Sequence, residues 1–185
     1  MKSTYDMTIA GVKRSLPLCK VNDTLYIAAF VMFGDVEVTV AAAKELLAKA
    51  PEFDIMITAE SKGIPLIHEM TRQAGLNDYV VARKGPKLYM KNIIFTDVNS
   101  ITTEKEQVLC IGEHEAQAMK GKRVLIVDDV ISTGDSLSSI EKLVTQVGGN
   151  IVGKMAVLAE GDAIGREDIT YLEPLPLFNP DGTVK

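Results

Sequence analysis

The segment Val124-Leu125-Ile126-Val127-Asp128-Asp129-Val130-Ile131-Ser132-Thr133-Gly134-Asp135-Ser136 constrains the fold of this chain more than any other. Its four leading apolar residues read as a strand buried on both faces, the mark of a parallel sheet. Two carboxylates follow at once, and they are costly beside a buried strand unless hydroxyls, basic groups or a metal meet them. Then come five small or capping residues, Ser132 through Ser136, opening a helix. Backbone N–H groups at such a turn converge on an anion with help from the helix dipole, and the hydroxyls of Ser132, Thr133 and Ser136 add donors. One Asp after a strand is commonly a helix cap. A pair of them ahead of this turn suits a phosphorylated sugar, its hydroxyls on the acids and its phosphate in the turn.

The rest of the chain supplies a matching frame. Asp35 caps a helix through residue 50, and the apolar positions Val36, Val40, Ala43, Leu47 and Ala50 follow helical spacing. Pattern and breakers predict strands over 54–59, 79–83, 123–127 and 151–159, and extended segments over 93–98 and 107–111. Helices are predicted over 64–74, 113–119 and about 135–147. This alternation predicts an α/β fold, a Rossmann-like parallel sheet flanked by helices, in one domain. Before its core (34–160) lies a small β-rich N-terminal hood (1–33), with extended runs over 7–12, 16–21 and 25–30 broken by Gly11, Pro17 and Asn22-Asp23. The stretch from Pro174 to Pro180 cannot be helical and reads as part of an extended tail (161–185) packing on the core.

Several function classes fall away. No GxxxxGK[ST] and no GxGxxG occurs, so neither a P-loop nor a dinucleotide fingerprint is present. A net charge of -5, from 20 basic and 25 acidic residues, argues against nucleic acid as a partner. No apolar run approaches the ~18–20 residues of a membrane span. Cys19 and Cys110 lie far apart with no metal-ligand spacing, which fits free thiols in a reducing cytoplasm. His68-Glu69 begins like a zinc-protease motif, but position 72 is Arg.

The run 124–136 resembles the thirteen-residue signature of the type I phosphoribosyltransferases: four apolar residues, two acids, two apolar residues and a small Thr-Gly turn. The resemblance covers about residues 35–160 and is closest to the purine branch, the adenine and xanthine enzymes. Ala59-Glu60-Ser61-Lys62-Gly63 resembles the family's pyrophosphate loop. Ala82-Arg83-Lys84-Gly85-Pro86-Lys87-Leu88 resembles the segment that opens its mobile lid, read here over 85–103. Cations clustered at strand ends agree with a pyrophosphate leaving group.

The resemblance implies transfer of the phosphoribosyl group of 5-phosphoribosyl-1-pyrophosphate (PRPP) to a purine base. Asp128 and Asp129 would hold the ribose hydroxyls and lend negative charge to the reacting sugar. Ile131, Ser132, Thr133, Gly134, Asp135 and Ser136 would grip the 5-phosphate. Glu60, Ser61, Lys62 and Gly63, with Arg83, Lys84 and Lys87, would hold the pyrophosphate. Magnesium would bind through PRPP near Asp128 and Asp129 rather than on direct protein ligands. Phe30 and Val130 are the candidates at the base, with Tyr26 and Phe33 as further hood aromatics. The resemblance also implies a homodimer acting in purine salvage.

Base identity is divided. Hypoxanthine-guanine enzymes carry an Asp where this chain has Ser132, and oxopurine enzymes tend to carry a Lys near the end of the last core strand. Here residues 157–162 read VLAEGD, without a cation, which favours adenine. Residues 97–102 read DVNSIT, closer to the lid of the xanthine enzymes. Xanthine, guanine or orotate as the base, and a non-catalytic PRPP-binding regulator, remain the alternatives. Such regulators carry a DNA-binding module, whereas residues 1–33 are neither basic nor helix-turn-helix in pattern.

Overall fold

A computed structural model of the chain describes residues 3–96 and 108–185. The N-terminal hood is an antiparallel sheet of β1 (Thr4–Ile9), β2 (Val12–Asn22) and β3 (Leu25–Ala28). Ala10 and Gly11 form the two-residue hairpin turn between β1 and β2, both at positive φ (49° and 77°). Pro17 does not interrupt β2 as its position suggested. It lies where the ladder to β3 ends, and its carbonyl still accepts from Ala29 N–H at 2.9 Å, so the missing N–H costs at most the last bond of that ladder.

The core follows as α1 (Val36–Lys49), β4 (Ile55–Ala59), α2 (Ile64–Gln73), β5 (Val80–Ala82), the short strands β6 (Ile94–Phe95) and β7 (Cys110–Ile111), and α3 (Glu113–Met119). It closes with β8 (Arg123–Ile131), α4 (Asp135–Gln146), β9 (Asn150–Glu160), a 3-10 turn (Gly161–Ala163) and β10 (Thr170–Leu175). Five strands form one parallel sheet in the order β10-β9-β8-β4-β5. One face packs α1, α2 and the hood on Leu125, Val127, Met155 and Val157. The other packs α3 and α4 on Val124, Ile126, Ala156 and Ala159. The α/β expectation therefore holds. Leu46 of α1 is fully buried in the first layer, so Leu46→Ala should lower stability by about 2–5 kcal/mol in urea unfolding.

Three expectations need correction. Asp35 does cap α1, accepting from Val38 N–H at 3.2 Å, but the inward face is Val38, Thr39, Ala42, Ala43 and Leu46. Val36 is 72% and Val40 40% exposed. The helix carries two apolar stripes, and packing against α2 and β10 selects the second. Strand β8 runs past 127 to Ile131, because β9 continues the pairing through Val130↔Leu158 and Ile131↔Ala159. The segment after 160 is more than a tail: Thr170–Leu175 is the edge strand of the sheet. Pro174 is tolerated there because an edge strand leaves one side unpaired. Beyond it, Phe178 is fully buried and exchanges two 2.9 Å backbone bonds with Tyr26, which ties the hood to the core. Of the lid read over 85–103, residues 97–103 lie outside the described residues, as do residues 97–102 that bear on the base.

Candidate active site

All five strands of the sheet are parallel, so their carboxyl ends form one edge, the position where such sheets bind ligands. Glu60 follows β4, Arg83 follows β5, the 132–134 turn follows β8 and Glu160 ends β9. Segments as far apart in sequence as Glu60 and Glu160 thereby share one rim.

At its centre, the pleat of β8 sends neighbouring side chains to opposite faces. Asp128 lines a cavity of about 210 Å³ with Val130, Ile131, Ser132, Thr133, Gly134, Asp135, Ser136 and Leu137. Asp129 is 2% exposed and meets the Lys62 ammonium at 3.0 Å. That ammonium is not in hydrogen-bonding line, and Asp129 Oδ2 has no aligned donor among the described residues. Burial, and then the adjacent Asp129 carboxylate, push the Asp128 carboxyl well above the ordinary Asp range. The strand thus holds Asp128 at an electrostatic cost, and a perturbed carboxylate of this kind marks a functional cleft.

The turn after β8 is shaped by Gly134 at φ 89°, a left-handed conformation that favours glycine. Thr133 Oγ1 donates to Asp135 Oδ2 at 2.9 Å. Among the described residues no side chain caps α4 at Gly134, so the helix N-terminus faces the cavity with donors that suit an anion. All six residues read as the phosphate grip, 131–136, line this one cavity with Asp128.

The basic residues divide into two groups. Arg83 Nη1 lies 3.4 Å and Lys87 Nζ 3.9 Å from Glu60 Oε1, and Lys84 N–H donates to Glu60 Oε2 at 3.1 Å. The Lys84 N–H, followed by the Lys87 and Arg83 charges, holds the Glu60 carboxyl below its usual range despite burial. Lys62 stands apart from this group, on Asp129. Gly63 is packed so closely that a Cβ there would lie 2.3 Å from Thr58 Oγ1 and 3.0 Å from Asp128 Oδ1. The Glu60–Ser61 peptide is cis.

A second cavity, also about 210 Å³, adjoins the first through Val130 and Ser132. It is lined by Ile27 to Val31 of the hood, Lys62, Glu160 and Leu175. Phe30 and Val130 both belong to it, whereas Tyr26 and Phe33 do not. Sequence reasoning assigned no role to Glu160 or to Arg166. Glu160 occupies a strand's carboxyl end, the same positional signal that singles out Asp128. Arg166 follows the 3-10 turn, and its Nη1 would lie 3.0 Å from a Cβ on Gly134. Two bonds to Asp168, of 2.9 and 2.7 Å, hold it there. No pattern in the sequence pairs position 166 with position 134.

Fold and site together define an α/β protein with a small-residue turn that lines a cavity and an acid pair on its central strand. The chain belongs to the family described as the phosphoribosyl transferase domain, which residues 36–174 match. It is 33% identical over 123 residues to an adenine phosphoribosyltransferase of Thermotoga petrophila, and that match spans 66% of this chain and 64% of the relative. It is 30% identical over 155 residues to an adenine phosphoribosyltransferase of Oenococcus oeni, covering 79% of this chain and 85% of that one. Among solved structures, the adenine phosphoribosyltransferase of Thermoanaerobacter pseudethanolicus aligns with a TM-score of 0.61 at 25% identity. That alignment covers 77% of this chain and 84% of the other.

Proposed function

We propose that this protein is a PRPP-dependent purine phosphoribosyltransferase and that adenine is its base. The observation that carries the reading is the shared edge: an acid pair and a phosphate turn on β8, beside basic loops after β5 and β4. The relatives named above are adenine enzymes, which favours adenine over xanthine, guanine or orotate.

In this reading the base nitrogen forms a bond to the anomeric carbon as the bond to pyrophosphate breaks, and the proton the nitrogen sheds passes to water or to the departing pyrophosphate. Positive charge then develops on the ribose. Asp128 and Asp129 accept from the two ribose hydroxyls and stabilise that charge, as preorganised groups in a cleft do. Residues 131–136 anchor the 5-phosphate, which fixes the anomeric carbon against the base. Arg83, Lys84 and Lys87 exchange Glu60 for the departing pyrophosphate, with Ser61, Lys62 and Gly63 shaping the loop. Among the described residues no group of three or more metal-ligating side chains occurs. Asp128 and Asp129 would suit magnesium, which would keep waters and take its remaining oxygens from the phosphates of PRPP. Its chemistry is to neutralise charge on the pyrophosphate.

No helix among the described residues is long and apolar enough to cross a membrane. We place the reaction in the cytoplasm, where free thiols such as those of Cys19 and Cys110 persist. We also take the protein to be a homodimer, with the exposed Val36 and Val40, one turn apart on α1, as apolar surface to cover. The test is to supply PRPP and magnesium with adenine, guanine, hypoxanthine, xanthine or orotate in turn, following nucleotide and pyrophosphate. Adenosine monophosphate is the expected product. Saturable PRPP binding without transfer to any base would replace this reading with that of a non-catalytic regulator.

A further inference from the structure

The cavity beside the acid pair holds one carboxyl that the chemistry above does not use. Glu160 ends β9 and is half-buried among Phe30, Val130 and Leu175. Among the described residues its side chain accepts no hydrogen bond and forms no close ion pair. Lys62, the nearest cation on the same wall, is engaged with Asp129 at 3.0 Å instead. Burial pushes the Glu160 carboxyl above its usual range, against the pull of the Lys62 charge. A half-buried acid without a partner is costly unless a ligand supplies one.

The walls of this cavity are otherwise apolar apart from Ser132 and Lys62, and they run from the hood to the edge strand β10. A flat heterocycle fits such a lining, stacked between Phe30 and aliphatic side chains. Polar edges are then read by whatever polar groups the wall presents. An ionised carboxyl only accepts. Facing it, the exocyclic amine of an aminopurine makes a hydrogen bond, whereas the carbonyl oxygen of a 6-oxopurine sets lone pair against lone pair.

We propose that Glu160 selects an aminopurine over an oxopurine by accepting a hydrogen bond from the exocyclic amine. This assignment rests on the purine-transfer reading and deepens it. The sequence places no cation at this strand end. The structure adds that the acid there lines the cavity next to Asp128 and Asp129 and is unpartnered among the described residues.

The test separates binding from turnover. Adenine and hypoxanthine are each titrated into the protein saturated with ribose 5-phosphate, for the wild type, Glu160→Gln and Glu160→Leu. The wild type should bind adenine more tightly. Both variants should lose roughly tenfold or more of that preference, since a site left without its polar partner discriminates poorly. Glu160→Gln should gain hypoxanthine affinity, because its amide can donate to the 6-oxygen. Affinity for ribose 5-phosphate should stay within about twofold, because Glu160 does not line the phosphate cavity. An adenine-to-hypoxanthine ratio unchanged in both folded variants would overturn the assignment, and so would a wild type that prefers hypoxanthine. Selective adenine binding lost in the variants, with no transfer in the wild type, would strike down the transferase reading and leave the role of Glu160 standing.

Discussion

Asp128→Asn combined with Asp129→Asn should cut nucleotide formation about 10²-fold or more while the protein still folds. The rate loss follows from removing both negative charges beside the developing ribose cation, where preorganised groups are worth most. The folding outcome follows from what burying the acids costs the fold. Burial and the Asp129 charge raise the Asp128 carboxyl, so stability is fully present when Asp128 is protonated. It is lost as the pH rises from the ordinary Asp value, about 4, toward the raised folded value. Asn cannot ionise and carries no such loss. The double variant should therefore melt higher than the wild type at neutral pH, by roughly 2–4 °C for each 1 kcal/mol relieved. The gap should close as the pH falls toward 4. Scanning calorimetry at several pH values checks the stability half, and a fixed-base turnover assay checks the other. Wild-type turnover in the variant would remove Asp128 and Asp129 from the chemistry.

Gly63→Ala should be damaging for a reason unrelated to backbone freedom. Gly63 has φ −73° and ψ −9°, a conformation open to any residue. The added Cβ would instead lie 2.3 Å from Thr58 Oγ1 and 3.0 Å from Asp128 Oδ1. Thr58 is fully buried on β4, beside β8, so relief requires moving either the threonine or the acid. Overpacking of this kind costs about 1–3 kcal/mol, and displacing a positioned acid by about 1 Å can cost as much as 10²-fold in rate. Thr58 Oγ1 has no hydrogen-bond partner among the described residues, which makes it expendable. Adding Thr58→Ala to Gly63→Ala should thus recover part of the lost stability and activity. Equal losses in the single and double variants, measured by urea unfolding and turnover, would show that the close approach to Thr58 is not what requires glycine.

The order of the candidate segments along the strands was legible because each follows an apolar strand. Val124 to Val127 ahead of Asp128, and Ile55 to Ala59 ahead of Glu60, are readable without neighbours. The hidden parts concern which of two equally apolar surfaces is chosen. Helix α1 offers Val36 and Val40 as readily as Val38 and Ala42, and only contact with α2 and β10 decides between them. The continuation of β8 through its acids depends likewise on a partner strand, since pairing with Leu158 and Ala159 outweighs the break in hydrophobicity.

By itself, then, the sequence determined the α/β class and the chemical character of the segment 124–136, because apolar period and residue type act locally. Tertiary structure alone decided how that segment is used. It set Asp128 on the cavity of the 131–136 turn and Asp129 on Lys62, put Gly63 against Thr58, and brought Glu160 into one cavity with Phe30. These are relations between residues distant in the chain. They exist only because parallel strands bring their carboxyl ends to a single edge.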